Sequence, residues 1–514
     1  MAQWDHGYVT DVAYTTGAGQ EMTPAWIDAC SILLGYRPTS SSAPFRYADI
    51  GCGNGMSAIF AAAARPDSEF WGYDFNPAHI EFARGLASQA GLTNVHFEET
   101  SFEALARGPE HGDLDYVVSH GVLSWISEEN RRHLVNVVGK RLRPGGLAYI
   151  SYNTTTGWAS MLPIRTLMRQ VAKSSQRRSD TVVADILQVL ETLKTGGATY
   201  LSAHPTLPAR VEQIRNQDPR YIAHEYLNQD WHPLMFDEVR EAMVEAKTTF
   251  IGSATLTENS DVVAVQPALL PLMNSITDVS LRETVRDLAA AKAFRRDLWR
   301  KGGEIMPAPE QISYLDAITL VWTGKPIEGE ITFPSPIGSV TGQAEFYRPI
   351  LDAICRGPST VGALRALPSV RNHPIGEFVQ ATSLLIGGGF AHPAQRGGDL
   401  AKARDASKRL NTAILDRIRL GRDLDRLAAP VIGSSIGVSV LEAMTIGGLL
   451  VDPKRSAAGL IDIVRNQLIA SGRTLRKDGN QVDDGTAANA IIGEVVSNVM
   501  SKRLASLHAA GVMS

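Results

Sequence analysis

The hydrophobic residues in the first third of the chain form short apolar runs that alternate with amphipathic stretches. Five runs are predicted to be strands, at residues 47–50, 69–73, 94–97, 114–119 and 147–152. Helices are predicted between them, at residues 57–64, 77–89 and 128–142. The run at 114–119 is largely apolar, which is typical of a buried parallel strand. This alternation predicts an α/β fold built on a parallel sheet.

The pattern changes after the fifth strand, because the strands that would complete such a sheet do not follow at once. Residues 157–232 instead contain two amphipathic stretches with apolar residues at helical spacing. Strand-like patterns return only at 248–254 and 262–265. We therefore predict that the sheet closes within about residues 233–266. The segment 157–232 would then be a helical insertion that acts as a lid beside the active site.

The second half of the chain is predicted to be mostly helical and contains no catalytic motif. Residues 346–355, 360–367 and 375–387, followed by 388–392, have the order helix–helix–helix–strand, which resembles a winged-helix unit. The third of these helices contains no Lys or Arg, whereas a DNA recognition helix needs a basic face. A scaffold or protein-interaction role is therefore favoured for this unit. The final amphipathic helix, 488–509, is suited to docking on the core or on a second subunit of a homodimer.

Composition and charge narrow the class of protein. The chain has 514 residues, of which 44% are hydrophobic and 20% charged, as expected for a soluble globular protein of several domains. No apolar run approaches the roughly 20 residues of a membrane helix, and no signal peptide is apparent. Its three cysteines favour a reducing cytoplasm over a disulfide framework or zinc site. A net charge of −4 does not favour a nucleic-acid partner. We expect a cytoplasmic protein with no membrane insertion, nucleic-acid partner or metal.

The turn after the first strand carries the most specific chemical signal. Asp49 is followed by three alternating glycines, Gly51, Gly53 and Gly55, which permit a tight turn and a close approach of backbone to a ligand. A dinucleotide site would instead have the spacing G-x-G-x-x-G. An acid in the turn suits a cationic amino group and repels a phosphate. Asp74, at the end of the second strand, is placed to hold ribose hydroxyls.

The carboxyl ends of parallel strands meet at one edge of a sheet, where ligands of such folds bind. Five residues are expected along this rim, namely Gly51, Asp74, Ser101, His120 and Asn153. The sequence therefore predicts a site for a nucleoside that bears a cationic amino group.

The segment Asp-Ile-Gly-Cys-Gly-Asn-Gly at 49–55 resembles motif I of class I methyltransferases, which bind S-adenosylmethionine. Segments at 120–125, 151–158 and 224–227 together resemble bacterial methyltransferases that carry a methyltransferase regulatory domain, and 293–298 resembles the end of that domain. This group includes protein-lysine methyltransferases that act on outer-membrane proteins. The resemblance extends over roughly residues 1–450 and implies a Rossmann-like class I sheet.

The resemblance also implies the cofactor, S-adenosyl-L-methionine, and a set of residues that bind it. These are Tyr14, Asp49, Gly51, Gly53, Gly55, Asp74, Ser101, Phe102 and His120. Ser101 stands where the family usually has an acid beside the adenine. The expected division is a methyltransferase core with an N-terminal cofactor-covering segment (1–156), the helical insertion (157–232), the end of the sheet with a regulatory segment (233–300), a winged-helix-like middle domain (301–425) and a helical C-terminal domain (426–514).

The chemistry of the acceptor decides which side chains the reaction needs. Methyl transfer depends mainly on positioning, and a lysine acceptor must also lose its proton, which apolar and aromatic walls favour. The candidate walls are Tyr8, Tyr14, Trp125, Tyr152 and Trp158. A hydroxyl acceptor would need a base, for which His120 is best placed. Tyr226, in the insertion, is expected to reach the active site. The predicted catalytic residues are therefore His120, Tyr14, Trp125 and Tyr226.

Two other motifs are excluded. The segment beginning His224-Glu225 has Asn228 where H-E-x-x-H requires a second histidine, so no metalloprotease site is predicted. The Asn-Pro-Pro-Tyr signature of enzymes that methylate nucleic-acid bases and glutamine is absent after Ser119. Three hypotheses follow: a protein or peptide methyltransferase acting at lysine, a small-molecule O- or N-methyltransferase, and a non-catalytic regulatory protein that binds S-adenosylmethionine.

Overall fold

The structure is a computed structural model that describes residues 7–12, 17–39, 42–108, 113–175, 177–477, 480–482 and 485–513. Its central sheet has seven strands, β1 (Arg46–Ile50), β2 (Glu69–Asp74), β3 (Val95–Glu99), β4 (Leu114–Ser119), β5 (Leu142–Asn153), β6 (Thr248–Ser253) and β7 (Phe294–Lys301). Their order across the sheet is β3-β2-β1-β4-β5-β7-β6. The first five strands are parallel, and β7 is antiparallel to both of its neighbours. The predicted Rossmann-like α/β fold is confirmed.

Helices cover both faces of this sheet, because successive strand residues point to opposite sides. In β1, Tyr47 packs into the core on one face, whereas Ala48 and Ile50 pack into the core on the other. The helices around the sheet are Pro24–Leu33, Met56–Ala64, Pro77–Gln89, Phe102–Arg107, Glu128–Arg141, Phe236–Glu245 and Val279–Ala289. The helix Pro77–Gln89 begins as its sequence predicts, with Asn76 accepting a hydrogen bond from the Ala78 amide and proline in its first turn.

The predicted closing strand at 262–265 is wrong. Residues Asp261–Ala264 form a short helix, and the sheet is completed by β7, which lies between β5 and β6. The sequence of β7 is charged, so it does not show the apolar pattern of a buried strand. Arg295 and Asp297 are nevertheless both fully buried, and they pair with each other at 2.9 Å. Arg295 also pairs with Glu283 and Asp287 of the helix Val279–Ala289. A buried ion network thus replaces the apolar pattern by which a strand is usually found.

Residues 157–232, called the insertion below, are helical, as the sequence predicts. The helices of this region are Thr155–Trp158, Leu162–Lys173, Ser179–Thr195, Thr199–Ala203, Leu207–Arg215 and Pro219–Tyr226. They enclose a hydrophobic core of their own, in which Met168, Ile186, Leu190 and Ile222 are buried. The insertion therefore has an internal core and is not merely a surface loop.

The second half is mostly helical and packs against the same large core as one face of the sheet. Its helices are Ala308–Asp316, Ala344–Arg356, Val361–Arg365, Ile375–Gly387, Leu400–Arg419, Val440–Val451, Ala457–Ala470, Gly485–Asn498 and Leu504–Ala509. Its short strands are Thr319–Trp322, Thr332–Ser335, Gly338–Thr341, Ser359–Thr360, Ala391–Pro393, Arg426–Ala429, Ser434–Gly437, Arg476–Lys477 and Asn480–Gln481. The three helices and the final strand predicted for this unit are found at 344–393, with the short strand Ser359–Thr360 between the first and second helices. Within the described residues, none of the helices has the length and hydropathy needed to span a bilayer.

Candidate active site

A cavity of about 720 Å³ lies at the carboxyl ends of the sheet strands. This volume is within the usual range for a small-molecule site. Eight of the residues predicted for the site line it together, namely Asp49, Gly51, Gly53, Asp74, Ser101, Phe102, His120 and Trp125. Tyr14 falls outside the described residues. Gly55 and Tyr226 are not among the residues that line the cavity.

Two glycines of the turn after β1 have different structural roles. Gly53 has a φ of +53°, and a Cβ added there would meet no atom within 4 Å, so its backbone faces open space in the cavity. Gly55 has a φ of +68°, and a Cβ there would lie 2.4 Å from the Phe97 ring. Gly53 therefore leaves room for a ligand, whereas Gly55 allows the following helix to pack against β3.

Asp74 ties the glycine turn to the end of β2. One carboxylate oxygen accepts a hydrogen bond from the Gly53 amide at 2.8 Å, and the other accepts one from the Asn76 amide at 2.9 Å. His79 Nδ1 lies 3.3 Å from the second oxygen. A carboxylate oxygen has two lone pairs, so Asp74 retains acceptor capacity for the hydroxyls of a ribose.

Asp49 is buried, and its Oδ1 atom has no hydrogen-bond partner among the described residues. Burial, together with the nearby Asp74 carboxylate, raises the pKa of Asp49 to about 8. A buried, unpartnered carboxyl is costly unless a cation or donor completes it. The ammonium group of S-adenosylmethionine meets this need, so the residues present fit the cofactor.

Ser101 and Asn153 offer polar atoms at two other points of the rim. The Ser101 hydroxyl oxygen accepts a hydrogen bond from the Ala104 amide at 3.1 Å and so caps the helix Phe102–Arg107. Asn153 is buried, and its Nδ2 atom has no partner in the described part of the chain. Asn153 therefore lines the cavity and carries a buried N–H group without a hydrogen-bond partner among the described residues.

His120 directly follows β4 and lines the same cavity as the predicted cofactor residues. Its Nδ1 atom is 2.8 Å from the Tyr149 hydroxyl oxygen and 3.2 Å from the Ser151 hydroxyl oxygen. The ring also meets the edge of Phe294. Burial, and then the positive charge of Arg296, lowers the pKa of His120 to about 4. His120 is therefore neutral at neutral pH.

One helix of the insertion forms the opposite wall of the cavity. Tyr221, His224 and Glu225 lie on one face of the helix Pro219–Tyr226, and Asn228 continues the same spacing beyond it. Tyr226 lies on another face and packs against Trp158 in the core of the insertion, with ring centroids 6.0 Å apart. The expectation that Tyr226 reaches the cavity is therefore not met. The spacing 221, 224, 225, 228 is the sequence signal that could have identified the correct face.

Aromatic rings and a carboxyl group meet on this side of the cavity. Burial raises the pKa of Glu225 to about 7, although Arg210 and Arg165 oppose the shift. Trp125 and Trp158 line the same cavity, and both pack on Trp231. Tyr152 of β5 was also predicted to form a wall of the acceptor site. Its side chain is instead fully buried in the core on one face of the sheet, where it donates a hydrogen bond to Asp297.

The N-terminal segment 7–12 is held against this wall by two side chains. His224 Nε2 lies 2.9 Å from the Val12 carbonyl oxygen, and Asn228 Oδ1 accepts a hydrogen bond from the Val9 amide at 2.8 Å. Tyr8 lines the cavity and packs edge-on against Phe75. Residues 7–12 are thus anchored to the insertion, and a role of the N-terminal part in covering the cofactor stays a prediction.

Several of the residues that line the cavity were not predicted from the sequence. Besides Tyr221 and Glu225 of the insertion, they include Glu21, Phe294, Arg296 and Arg426. Phe294 and Arg296 belong to β7, which was not predicted as a strand because its sequence is charged. Arg426 comes from the C-terminal half, where no motif marked it.

The sheet order, the antiparallel β7 and the glycine turn define a class I methyltransferase that uses S-adenosylmethionine. A methyltransferase-domain family model matches residues 42–238, and a model described as a predicted methyltransferase regulatory domain matches residues 218–301. The chain belongs to the family of methyltransferases that carry this regulatory domain. The segment 218–301 contains a cavity-lining helix and strands β6 and β7, so the so-called regulatory domain is part of the active site and sheet.

Similar proteins extend along the whole chain. The uncharacterised protein sll1526 of Synechocystis is 32% identical to this chain over 511 residues. The match covers 99% of each protein. The uncharacterised protein RP028 of Rickettsia prowazekii is 30% identical over 43% of this chain and 86% of its own length. The solved structure of PKMT2 from Rickettsia typhi in complex with AdoHcy has 18% sequence identity and a TM-score of 0.70, covering 96% of this chain and 99% of that one.

Proposed function

We propose that this methyltransferase acts on the side-chain amine of a lysine in a protein or peptide. The observation that carries the proposal is Glu225, a carboxyl group with a pKa of about 7 that lines the same cavity as Trp125 and Trp158. The resemblance of the sequence to bacterial protein-lysine methyltransferases supports this choice. So does the likeness in fold to PKMT2, which includes the C-terminal half.

The surroundings of Glu225 suit an amine that must arrive with a proton and react without it. A lysine ammonium has an ordinary pKa of about 10.4, and desolvation by aromatic walls lowers it. Burial has raised the pKa of Glu225, so the two values approach each other and a proton can pass from the ammonium to the carboxylate. The ring of Trp125 can also stabilise the ammonium before it loses its proton, whereas one face of Trp158 is already covered by the Arg210 guanidinium, 3.7 Å from the ring centroid.

When bound, S-adenosylmethionine supplies an electrophilic methyl group on a sulfonium. The chain then has two tasks, to orient the lysine amine and to hold the proton that it releases. Trp125 and Trp158 confine the side chain, and Glu225 takes the proton. His120, with its low pKa, is a poor base and serves as a fixed polar group in the wall of the cavity.

The test is to follow a labelled methyl group from S-adenosylmethionine into a lysate of the source cells, using purified enzyme. Lysine methylation is expected to leave label on acid-precipitated protein that resists base, and mass spectrometry should locate it on lysine. Base-labile label would indicate carboxyl esters. Label confined to the small-molecule fraction would overturn the proposal in favour of a small-molecule methyltransferase. The Asp74→Asn variant provides the background control.

A further inference from the structure

Arg426 brings the C-terminal half of the chain into the methyltransferase cavity. It begins the strand Arg426–Ala429, which forms an antiparallel hairpin with Ser434–Gly437. The side chain is half-buried and lines the same cavity as Asp49 and Asp74. This position is not predictable from motif I, because the hairpin belongs to a different part of the chain.

The hairpin is fixed beside the cofactor end of the cavity. It packs on the helix Met56–Ala64, which starts directly after the glycine turn. The Ser57 hydroxyl of that helix accepts a hydrogen bond from the Gly19 amide at 3.3 Å. On the hairpin side, Gln20 Nε2 approaches the Ser435 carbonyl oxygen at 3.5 Å. Arg426 is thus held near residues 17–20 and the start of this helix.

The charge of Arg426 is not matched by the protein. Nη1 donates to the Ser435 hydroxyl at 3.3 Å, and no carboxylate of the described residues lies within 4.0 Å of the guanidinium. The other cavity arginine, Arg296, differs, since Glu21 lies 3.9 Å from it and Thr255 accepts a hydrogen bond from it. A guanidinium in a sheltered cavity without a carboxylate partner is suited to bind one from a ligand, by two parallel hydrogen bonds.

We propose that Arg426 binds a ligand carboxylate in this cavity, so that the C-terminal hairpin completes the active site. Two ligands can supply that group: the methionine moiety of the cofactor, and an acidic residue next to the target lysine. The second source rests on the proposed function, whereas the first rests only on the cofactor.

The first arm of the test measures binding by calorimetry. S-Adenosylhomocysteine and its decarboxylated analogue are titrated into the full-length wild type and into Arg426→Gln, Arg426→Lys and the control Arg422→Gln. Arg422 is an exposed arginine four residues earlier that does not line the cavity. If Arg426 holds the methionine carboxylate, Arg426→Gln weakens S-adenosylhomocysteine about tenfold or more, while the analogue, which also reports folding, binds as before. Arg426→Lys should lose less, because it retains the charge.

The second arm measures methylation of two lysine peptides, one with acidic and one with neutral neighbours, at saturating S-adenosylmethionine. If the carboxylate belongs to the acceptor, Arg426→Gln lowers kcat/KM for the acidic peptide about tenfold relative to the neutral one, and cofactor affinity is unchanged. If the wild type methylates neither peptide, that result counts against the proposed function, and the calorimetric arm alone decides the role of Arg426. The proposal is overturned if Arg426→Gln weakens both nucleosides equally, or if it matches Arg422→Gln in every arm that gives a signal.

Discussion

The Nδ1 atom of His120 lies 2.8 Å from the hydroxyl oxygen of Tyr149, and the two rings stack with centroids 5.9 Å apart. Burial raises the pKa of Tyr149 well above its ordinary value, so the phenol keeps its proton and is available as the donor to Nδ1 when that nitrogen is unprotonated. The neutral imidazole then carries its own proton on Nε2. In that tautomer His120 offers a hydrogen-bond donor to the cavity and no basic nitrogen, so the general-base role that the sequence suggests would require the other tautomer.

The first prediction concerns the charge of His120. Its pKa is about 4, against an ordinary value of 6.5, so the imidazole should stay neutral down to about pH 5. Between pH 6.5 and 4 the unfolded chain binds more protons at this position than the folded chain, so its contribution to stability is lost as the pH falls. NMR titration of ring-labelled histidine checks this, and Tyr149→Phe should raise the value. A His120 resonance that titrates near pH 6.5 in the wild type would contradict the assignment.

The second prediction concerns Asp49 and the cofactor. Because its pKa is about 8 without ligand, Asp49 is largely protonated at pH 7. Binding of a ligand ammonium lowers that pKa, so S-adenosylhomocysteine should release up to about one proton per site at pH 7. Calorimetry in buffers of different ionisation enthalpy measures the release. In Asp49→Asn the release should disappear; if it persists unchanged, another group is responsible.

The third prediction tests Glu225 as the proton acceptor. Glu225→Gln should lower kcat for a lysine acceptor about 100-fold, because the amide cannot take the proton. In the wild type, kcat should rise with pH through about 7, as the carboxyl ionises, and this inflection should be absent in the variant. Affinity for S-adenosylhomocysteine should not change. Glu212→Gln, a change at a half-buried, ion-paired glutamate of the same insertion that does not line the cavity, is the matched control. A variant that retains both the rate and the inflection would remove Glu225 from the mechanism.

The fourth prediction concerns Asp74. Asp74→Asn should weaken S-adenosylhomocysteine roughly 100-fold, because the side chain loses its charge and one of its acceptor oxygens. The same change disturbs the bonds to the Gly53 and Asn76 amides that shape the turn. Calorimetry measures the affinity, and Glu81→Gln, on the exposed side of the next helix, is the control. Equal affinity for S-adenosylhomocysteine in the two variants would show that Asp74 does not bind the cofactor.

The fifth prediction separates two glycines by their surroundings. Gly55→Ala should reduce the free energy of unfolding by about 2–4 kcal/mol, because it combines a left-handed backbone with overlap on Phe97. Gly53→Ala carries only the backbone cost, about 1–2 kcal/mol, but places a methyl group in the cavity and should weaken the cofactor. Denaturant unfolding and calorimetry measure the two effects. Equal loss of stability in both variants would show that the Phe97 contact is unimportant.

The residues on the cofactor side of the cavity could be predicted from the sequence because their signals are local. Asp49 and the glycines share one turn, and Asp74 ends the next strand, so their relation follows from the parallel order of β1 and β2. The residues proposed to bind the methyl acceptor were only partly predicted. Tyr226 was chosen from a helix whose other face lines the cavity, and β7 was missed because its buried positions carry Arg295 and Asp297.

By itself, the sequence determined the α/β alternation, the glycine turn, the helical insertion and hence the methyl donor, because periodicity and short-range backbone geometry encode them. Only the tertiary structure decided which wall faces that donor. Glu225, Phe294 and Arg426 come from an insertion helix, an inverted strand and a C-terminal hairpin, and they share one cavity solely because long-range packing brings those elements together. The charge of a half-buried group such as Glu225 likewise depends on desolvation by the residues that surround it in the fold.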